Sequence, residues 1–209
     1  AVLFLELGQE VRITGGSLRE AVNEGVRQGY AEGYLRKSLV RSPIDRVNTG
    51  DNTPATLNLD LVPGESLKVS LLVKGAGCDN MSASRMFSPA QGLEAAKDFV
   101  VETVERAGPN ASPPMVLGIG LGGPFAQAAA LAQRALLWRI GEPNPDRHVA
   151  AIEEELKERI KILGIGPAGF GGRTTVLGLH IETGVSHIAS FPVPVNIDCH
   201  SHRVAEAEL

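Results

Sequence analysis

The chain has 209 residues, of which 43% are hydrophobic and 21% charged, with a formal net charge of −4 and two cysteines. This length suits one domain, and the composition is that of an ordinary globular protein. The small negative charge gives no electrostatic reason to expect nucleic acid or an anionic membrane as a partner, and no apolar run reaches the ~18 residues of a membrane span. Scarce cysteines favour a reducing cytoplasm, where a thiol is more often a ligand or a nucleophile than half of a disulfide.

The start of the chain is unusual for a domain. It begins AVLFLEL, without methionine and directly inside a strand-like run. The stretch lacks the charges and the small residues of a signal peptide. Because a domain rarely starts within a strand, we expect further residues upstream of Ala1.

Hydrophobic periodicity and turn residues predict strands and helices interspersed along the chain. In chain order, the pattern predicts strands at 2–7 and 11–14, a helix at 17–40, a polar loop at 41–55, strands at 57–61 and 67–73, a loop at 74–82, a helix at 88–106, a strand at 115–119, helices at 124–140 and 146–162, a glycine loop at 164–175, and strands at 175–181 and 193–198. Ser17 and Glu20 form a predicted capping box. The whole chain, 1–209, is therefore predicted to be a single α/β domain with a mixed sheet flanked by helices, and the turn at Pro63 and Gly64 indicates antiparallel neighbours.

Three glycine-containing loops suggest a pocket lined by backbone N–H groups. GIGLGG at 118–123 and GIGPAG at 164–169 match the G-x-G-x-x-G pattern of dinucleotide sites, but only the first follows a strand, and no second strand with an acidic end follows it closely. Alternatively, these glycines permit tight turns and close packing. A third possibility is an anion site at the start of the 124–140 helix, where the loops at 75–77, 118–123 and 164–172 would together bind a small anion.

Cys199 begins the sequence CHSH, in which thiolate and imidazole groups suit zinc or iron. A closed zinc site would also need Cys78 and His187, and the chain has no C-x-x-C pair. Alternatively, Cys199 is a small buried hydrophobic residue. If a strand continued through this motif, the cysteine and the two histidines would face opposite ways. That alternation predicts an ion or cluster completed by residues from elsewhere in the chain.

Four further residues are candidates for binding, although none indicates a function by itself. His187 precedes a loop, and a lone histidine there is ordinarily a surface residue. Arg36 and Arg173 are of a type that is more often solvated or capping than a ligand. Lys74 leaves a strand beside a glycine loop, which is a place where binding residues are often found.

Seven blocks of the chain occur in the order seen in one enzyme family. They are LRKSLV, NTGDNTPA, KGAGCDNMS, AGPNASPP, GIGLGG, GIGPAGFGGRTTVLG and NIDCHSHR. Together they resemble class I fumarate hydratases, and more closely the alpha subunit of the two-subunit form, which is also similar to the tartrate dehydratase alpha subunit. The resemblance covers nearly the whole chain.

The resemblance implies the N-terminal-domain fold of class I fumarases and an oxygen-sensitive hydro-lyase activity. In this family three cysteines hold a [4Fe–4S] cluster, whose remaining iron binds a small dicarboxylate substrate during reversible hydration. The resemblance also implies conversion of fumarate to malate in the tricarboxylic acid cycle, a cytoplasmic location, a beta subunit as partner and a dimer of alpha–beta units. The chain alone would be inactive, because the beta subunit supplies further substrate-binding residues. The NTGDNTPA block favours fumarate over tartrate.

The family's site residues carry over to matching positions of this sequence. Cys199 matches the last cluster cysteine, and His187, twelve residues earlier, matches a histidine that contacts substrate. Arg36 matches the arginine of an LRYS-like block, and Gly77 matches the last glycine of a KGGGS loop whose backbone N–H faces the substrate. The resemblance therefore predicts His187 and Arg36 as catalytic residues, Gly77, Lys74 and Arg173 as substrate-binding residues, and Cys199, Cys78 and Ser112 as metal ligands.

Two departures from the family pattern put the cluster in question. The block with the family's first cluster cysteine, CQDTG, would fall immediately before Ala1, and the second cysteine position is Ser112 in GPNASPP. Cys78 stands where the family more often has serine. Three explanations are open: the cluster is lost or incomplete, Ser112 is a poor oxygen ligand, or Cys78 replaces the residue at 112, which we favour as a hypothesis. Loss of the cluster would leave a non-catalytic binding or assembly subunit.

Overall fold

The computed structural model describes residues 1–209, which form two compact units. The first consists of Ala1–Val73 and Val204–Leu209, and the second of Lys74–Arg203. The predicted α/β class, with mixed sheets flanked by helices, is confirmed, although the strands form two four-stranded sheets where the sequence predicted one. None of the helices combines the length and the hydropathy of a transmembrane segment.

Eight strands, five α-helices and four short 3-10 turns make up the two units. The strands are β1 (Val2–Gly8), β2 (Thr56–Val62), β3 (Leu67–Leu72), β4 (Ala83–Phe87), β5 (Met115–Leu121), β6 (Val176–Thr183), β7 (Phe191–Asp198) and β8 (Val204–Glu208). The α-helices are α1 (Leu18–Glu32), α2 (Ala76–Asp79), α3 (Gly92–Ala107), α4 (Phe125–Arg134) and α5 (Arg147–Ile162). The 3-10 turns are Pro89–Gln91, Gly108–Ala111, Ala135–Leu137 and Pro167–Gly169.

The first sheet has the strand order β2-β1-β3-β8, with β1 parallel to β2 and antiparallel to β3. The predicted turn after β2 therefore does not join neighbouring strands, because β1 lies between β2 and β3. The turn passes over the end of β1, where the Gly8 N–H donates to the Ser66 carbonyl at 2.9 Å. A Cβ at Gly8 would overlap the Gly64 carbonyl oxygen, so glycine is needed at this crossing.

Helix α1 covers this sheet with Val26 and Tyr30, which pack with Leu3 and Leu5. An open apolar groove of about 390 Å³ lies between α1 and the sheet. The helix ends at Glu32, earlier than predicted, because Gly33 and the positive φ of Tyr34 take the chain out of the helical conformation. Two further expectations are wrong: the Ser17 side chain makes no capping hydrogen bond, and residues 11–14 do not form a strand.

The second sheet has the order β4-β7-β5-β6, in which only β5 and β6 are parallel. Helices α3 and α5 pack against the face that carries Leu117 and Ile119 of β5. Helix α4 packs on the other face, where a Cβ at Gly118 or Gly120 would overlap carbonyl oxygens of the helix. The glycines of GIGLGG thus permit close helix–strand packing. The next strand in sequence, β6, follows only after the second of two helices, which does not match the dinucleotide pattern.

Strands β4 and β8 were not predicted, and the reason lies in their partners. β8 has the sequence VAEAE, whose alanines and glutamates favour a helix, but it pairs antiparallel with β3. β4 pairs in the same way with β7. Both are edge strands held by backbone pairing to a neighbour, and this overrides their local propensity.

Candidate metal and substrate site

Three loops that carry predicted ligands meet at one end of the second sheet. The antiparallel register pairs Val116 with Asp198, so the end of β7 lies beside the start of β5. Ser112 comes shortly before β5, and Cys199 directly follows β7. Helix α2, which carries Cys78, contacts both β7 and the 3-10 turn Gly108–Ala111. Residues far apart in sequence are therefore neighbours here because antiparallel strands place opposite ends together.

The CHSH motif forms a turn. β7 ends at Asp198, and the His202 N–H donates to the Cys199 carbonyl at 3.1 Å. The alternation of side chains expected for a continuing strand is therefore wrong. The turn brings Nδ1 of His202 to 2.7 Å from Oδ2 of Asp198, while the Cys199 sulfur lies 3.0 Å from the Ser201 hydroxyl.

Cys78, Asp198 and Cys199 form a group of possible metal ligands. One ligand atom from each residue lies within 4.8 Å of the other two. The Cys78 thiol, in a residue only 4% exposed, lies 3.3 Å from Oδ1 of Asp198 and 3.1 Å from the Gly75 carbonyl oxygen. Thiolates are the usual ligands of iron–sulfur centres, and carboxylates also bind iron. The donor chemistry of the group fits an iron centre.

Lys74 connects the loop of Cys78 to the end of β7. Its ammonium donates to the Ile197 carbonyl at 2.7 Å and to the Asp79 carboxylate at 2.6 Å. The Lys74 side chain is only 5% exposed. The buried Lys74 ammonium also adds positive charge that favours the ionised forms of Cys78 and Asp198.

The two buried acids of the group have opposite pKa shifts. Burial raises the pKa of the Cys78 thiol to about 12, against the weaker opposing effect of the Lys74 ammonium. Burial also disfavours ionisation of Asp198, but hydrogen bonds from His202 and Cys78 outweigh it and lower the pKa of this carboxyl below its usual range. At neutral pH the pair is therefore a thiol and a carboxylate, and metal binding has to release the Cys78 proton.

Ser112 borders the group through its backbone. It adopts a left-handed conformation, with φ 54° and ψ 61°, and its side chain is exposed. Its carbonyl oxygen accepts a hydrogen bond from the His200 backbone N–H at 3.3 Å and lies 3.1 Å from Nδ1 of His200. The structure thus brings the loop of position 112 next to the Cys199 turn.

His187 lies at the other end of the sheet. It occupies the exposed loop before β7, where its Nδ1 accepts a hydrogen bond from the Ala189 N–H at 3.1 Å. His187 precedes β7, and Cys199 directly follows its last residue. At about 3.3 Å per residue, this eight-residue strand spans roughly 23 Å from end to end. One chain therefore does not bring His187 to the three donors.

The GIGLGG loop lies at the His187 end, since the Gly123 N–H donates to the Val185 carbonyl at 2.9 Å. The 164–172 loop lies at the opposite end, since the Ala168 N–H donates to the Pro113 carbonyl at 2.9 Å. The expectation that all three glycine loops line one pocket is therefore wrong. An anion site at the start of α4 stays a prediction.

The remaining predicted residues have different surroundings. Gly77 is exposed in α2, directly before Cys78. Arg173 is exposed near the end of the 164–175 loop, and no hydrogen bond or ion pair joins it to the three donors. Arg36 belongs to the first unit and is exposed. Sequence reasoning missed Asp198, although an acid directly before a cysteine at a strand end is a readable signal.

Comparisons with known proteins agree on one family over almost the entire chain. The family model of fumarate hydratase (Fumerase) matches residues 1–208. The putative L(+)-tartrate dehydratase subunit alpha of Methanocaldococcus jannaschii is 39% identical over 210 residues, covering 98% of this chain and 73% of the relative. The L(+)-tartrate dehydratase subunit alpha of Escherichia coli strain UTI89 is 32% identical over 206 residues, covering 97% of this chain and 67% of the relative.

Proposed function

The chain belongs to the fumarate hydratase (Fumerase) family, and from this premise we propose that it is the alpha subunit of an iron–sulfur hydro-lyase. The observation that carries the proposal is the convergence of Cys78 and Cys199, the only two thiols of the chain, at one end of the second sheet. Both relatives compared above are named as subunits alpha, which supports a separate beta subunit as partner. The proposed unit is the whole chain, 1–209, acting as one iron–sulfur domain.

We propose a [4Fe–4S] cluster with Cys199 and Cys78 among its ligands, Cys78 standing in for Ser112. The structure supports this substitution because the Cys78 sulfur lies with Cys199 in the ligand group, whereas the Ser112 side chain is exposed. When bound, such a cluster supplies an iron with an open position that acts as a Lewis acid on a substrate hydroxyl. Lys74 fixes the ligand loop against β7, and its charge favours the ionised ligands.

The proposed reaction is the interconversion of fumarate and malate, and malate is a small hydroxy-dicarboxylate. The NTGDNTPA block, which resembles fumarate hydratases, has a structural role in the first unit. Oδ1 of Asn52, in this block, accepts hydrogen bonds at 3.0 Å from the backbone N–H groups of Ser38 and Leu39. Asn52 thus holds the segment that follows Arg36, which supports a fixed arginine for binding a carboxylate.

The alternative substrate is L(+)-tartrate. The printed names of the relatives in Methanocaldococcus jannaschii and Escherichia coli favour it. Both reactions remove or add water at a hydroxy-dicarboxylate, so one Lewis-acid site serves either of them. Malate and tartrate differ by one hydroxyl group, and direct assay separates the two assignments.

His187 and Arg36 remain the proposed catalytic residues, and Gly77 and Arg173 remain proposed substrate contacts with Lys74. Since one chain holds His187 and Cys199 at opposite ends of β7, His187 serves this site only when a second alpha chain presents it. A dimer of alpha–beta units would provide that second chain.

The test is an anaerobic assay of this chain with its beta subunit on fumarate, L(+)-tartrate and D-tartrate. We expect water addition to fumarate, weaker or no turnover of the tartrates, and no turnover by either subunit alone. Preference for L(+)-tartrate would transfer the assignment to the alternative. Turnover by this chain without a partner, or no turnover of any of the three, would contradict the proposed function.

The second candidate function is a clusterless binding or assembly subunit. Ser112, in place of the family's thiol, is the observation that favours it. Absence of bound iron and of iron–sulfur absorbance in anaerobically prepared protein would support this candidate and contradict the cluster.

A further inference from the structure

Asp198 is the one ligand-type side chain of the donor group that the family resemblance did not assign. We propose that Asp198 is a protein ligand of the iron centre, and that its carboxylate supplies the third donor beside the thiolates of Cys78 and Cys199. This inference rests on the proposed function, because it assumes that the chain binds iron. It identifies a ligand set of two thiolates and one carboxylate within this chain.

Geometry is the first argument for this assignment. The Asp198 residue is 1% exposed, and Oδ1 lies 3.3 Å from the Cys78 sulfur. The Cys199 sulfur completes a triangle with every side within 4.8 Å. The three donors come from two elements, α2 and the end of β7, that contact each other directly.

The partners of the two carboxylate oxygens also suit a ligand. Oδ2 faces Nδ1 of His202 at 2.7 Å, which is the type of outer hydrogen bond that orients ligating carboxylates. Oδ1 accepts from the Cys199 N–H at 3.0 Å and from the Cys78 thiol.

As an oxygen ligand for iron, Ser112 is a weaker candidate than Asp198. A serine hydroxyl has to lose a proton to become an anionic ligand, whereas a carboxylate is the ordinary oxygen ligand of iron. The Ser112 side chain is exposed, and its carbonyl oxygen is already bound to His200. Asp198 is buried among the sulfurs. The buried carboxylate of Asp198 is therefore a better candidate for the ligand than the exposed hydroxyl of Ser112.

A purely structural role is the competing explanation, since Asp198 also holds the turn from Cys199 to His202. The two roles predict different results for Asp198→Asn. The asparagine keeps an oxygen that accepts from the Cys199 N–H but removes the anionic ligand. If Asp198 is only structural, the Asp198→Asn variant should bind nearly as much iron as wild type. If Asp198 is a ligand, the variant should bind much less iron.

The experiment is anaerobic reconstitution of the full chain with ferrous iron and sulfide, with bound iron and sulfide measured per chain and an electron paramagnetic resonance spectrum recorded. We expect Asp198→Asn to bind at least threefold less iron than wild type. Asp45→Asn, which removes an exposed carboxylate far from the donor group in the sequence, should bind as much iron as wild type. Thermal melting of the iron-free proteins checks that each variant is folded.

Restoring iron binding with a second substitution is the most specific test of the proposal. If Asp198 supplies the third donor, the double variant Asp198→Asn, Ser112→Cys, which adds a thiol next to the Cys199 turn, should regain wild-type iron content with a changed resonance spectrum. Asp198→Glu, which keeps a carboxylate one methylene farther out, should retain iron and likewise alter the spectrum. It keeps the test decisive if the asparagine variant does not fold.

The outcomes separate this inference from the proposed function. A wild-type chain that binds no iron contradicts the iron–sulfur function itself. A wild-type chain that binds iron, with Asp198→Asn and Asp198→Glu equal to it in iron content and spectrum, overturns the role of Asp198 alone. Loss of iron in Ser112→Ala as large as in Asp198→Asn would assign the ligand position to the serine and likewise overturn it.

Discussion

The sulfur of Cys78 lies 3.3 Å from Oδ1 of Asp198, although 120 residues separate the two in sequence. This contact joins helix α2 to the last residue of β7 at the point where the chain turns to Cys199. Because Cys199 directly follows Asp198, the two thiols of the chain lie within 4.8 Å of each other, although position 112 is a serine. The contact also indicates which substitutions should separate metal binding from folding.

Replacing Cys78 tests whether it is a ligand. We expect Cys78→Ser to lose most of the reconstituted iron, to the same extent as Cys199→Ser, because both remove a thiolate from one site. Bound iron and sulfide per chain are the measurement. Ser82→Ala, which removes a hydroxyl that accepts from the Ile197 N–H at 2.9 Å without removing a donor of the group, is the matched control. Iron content unchanged in Cys78→Ser would exclude Cys78 as the replacement ligand.

Replacing Lys74 tests its role in holding the ligand loop. Lys74→Met removes the donor to the buried Ile197 carbonyl, so we expect a loss of about 1–3 kcal/mol in the free energy of unfolding. Lys68→Met breaks an exposed pair with Glu206 and should cost no more than about 1 kcal/mol. Urea unfolding of the iron-free chains gives both values. Equal losses would show that the Lys74 contacts contribute no more than a surface pair.

His180 should make stability depend on pH. It is 1% exposed, stacks on Trp138 with ring centroids 5.9 Å apart, and neither ring nitrogen has a hydrogen-bond partner. Burial lowers its pKa from 6.5 to about 4, with smaller contributions from Lys157 and His202. The unfolded chain therefore binds this proton more readily than the native chain, and stability is lost as the pH falls below about 6.5 toward 4.

The variant His180→Phe isolates this effect. It retains the aromatic contact with Trp138 but cannot take up a proton. Relative to wild type, we expect it to keep up to about 3 kcal/mol more of its unfolding free energy between pH 6.5 and 4. His148→Gln, at an exposed position of α5, should retain the wild-type pH profile. Parallel profiles for wild type and His180→Phe in urea unfolding would contradict the assignment.

Gly118 tests the packing role of the GIGLGG loop. A Cβ there would overlap the Ala132 carbonyl oxygen and approach Leu136 at 3.0 Å, so Gly118→Ala should destabilise the chain by about 2 kcal/mol or more. Gly25→Ala in α1 meets no atom within 4 Å and should stabilise the chain by about 0.5–1 kcal/mol. Thermal and urea unfolding provide the comparison. A neutral Gly118→Ala would show that α4 can move away from β5.

Much of the fold could be predicted from local pattern. The buried run of β5 and the periodic helices α3 and α5 carry enough hydrophobic signal over enough residues to be recognised without a structure. Short elements were not predictable, because β4 and β8 owe their conformation to the strands beside them. The position of β1 between β2 and β3 could not be predicted either, because a turn between two strands in the sequence does not determine which strands pair.

The sequence by itself determined the family, the α/β class and the chemical types at the site: two thiols, a serine at the position of a third, and the basic and glycine residues around them. Only the tertiary structure decided which of these meet. The packing of helix α2 against β7 brings Cys78 to Asp198 and Cys199, and the antiparallel pairing of β5 with β7 brings the Ser112 loop beside them. The length of β7 holds His187 at the far end. Strand pairing and helix packing join distant parts of a chain, and no local pattern of residues records those distances.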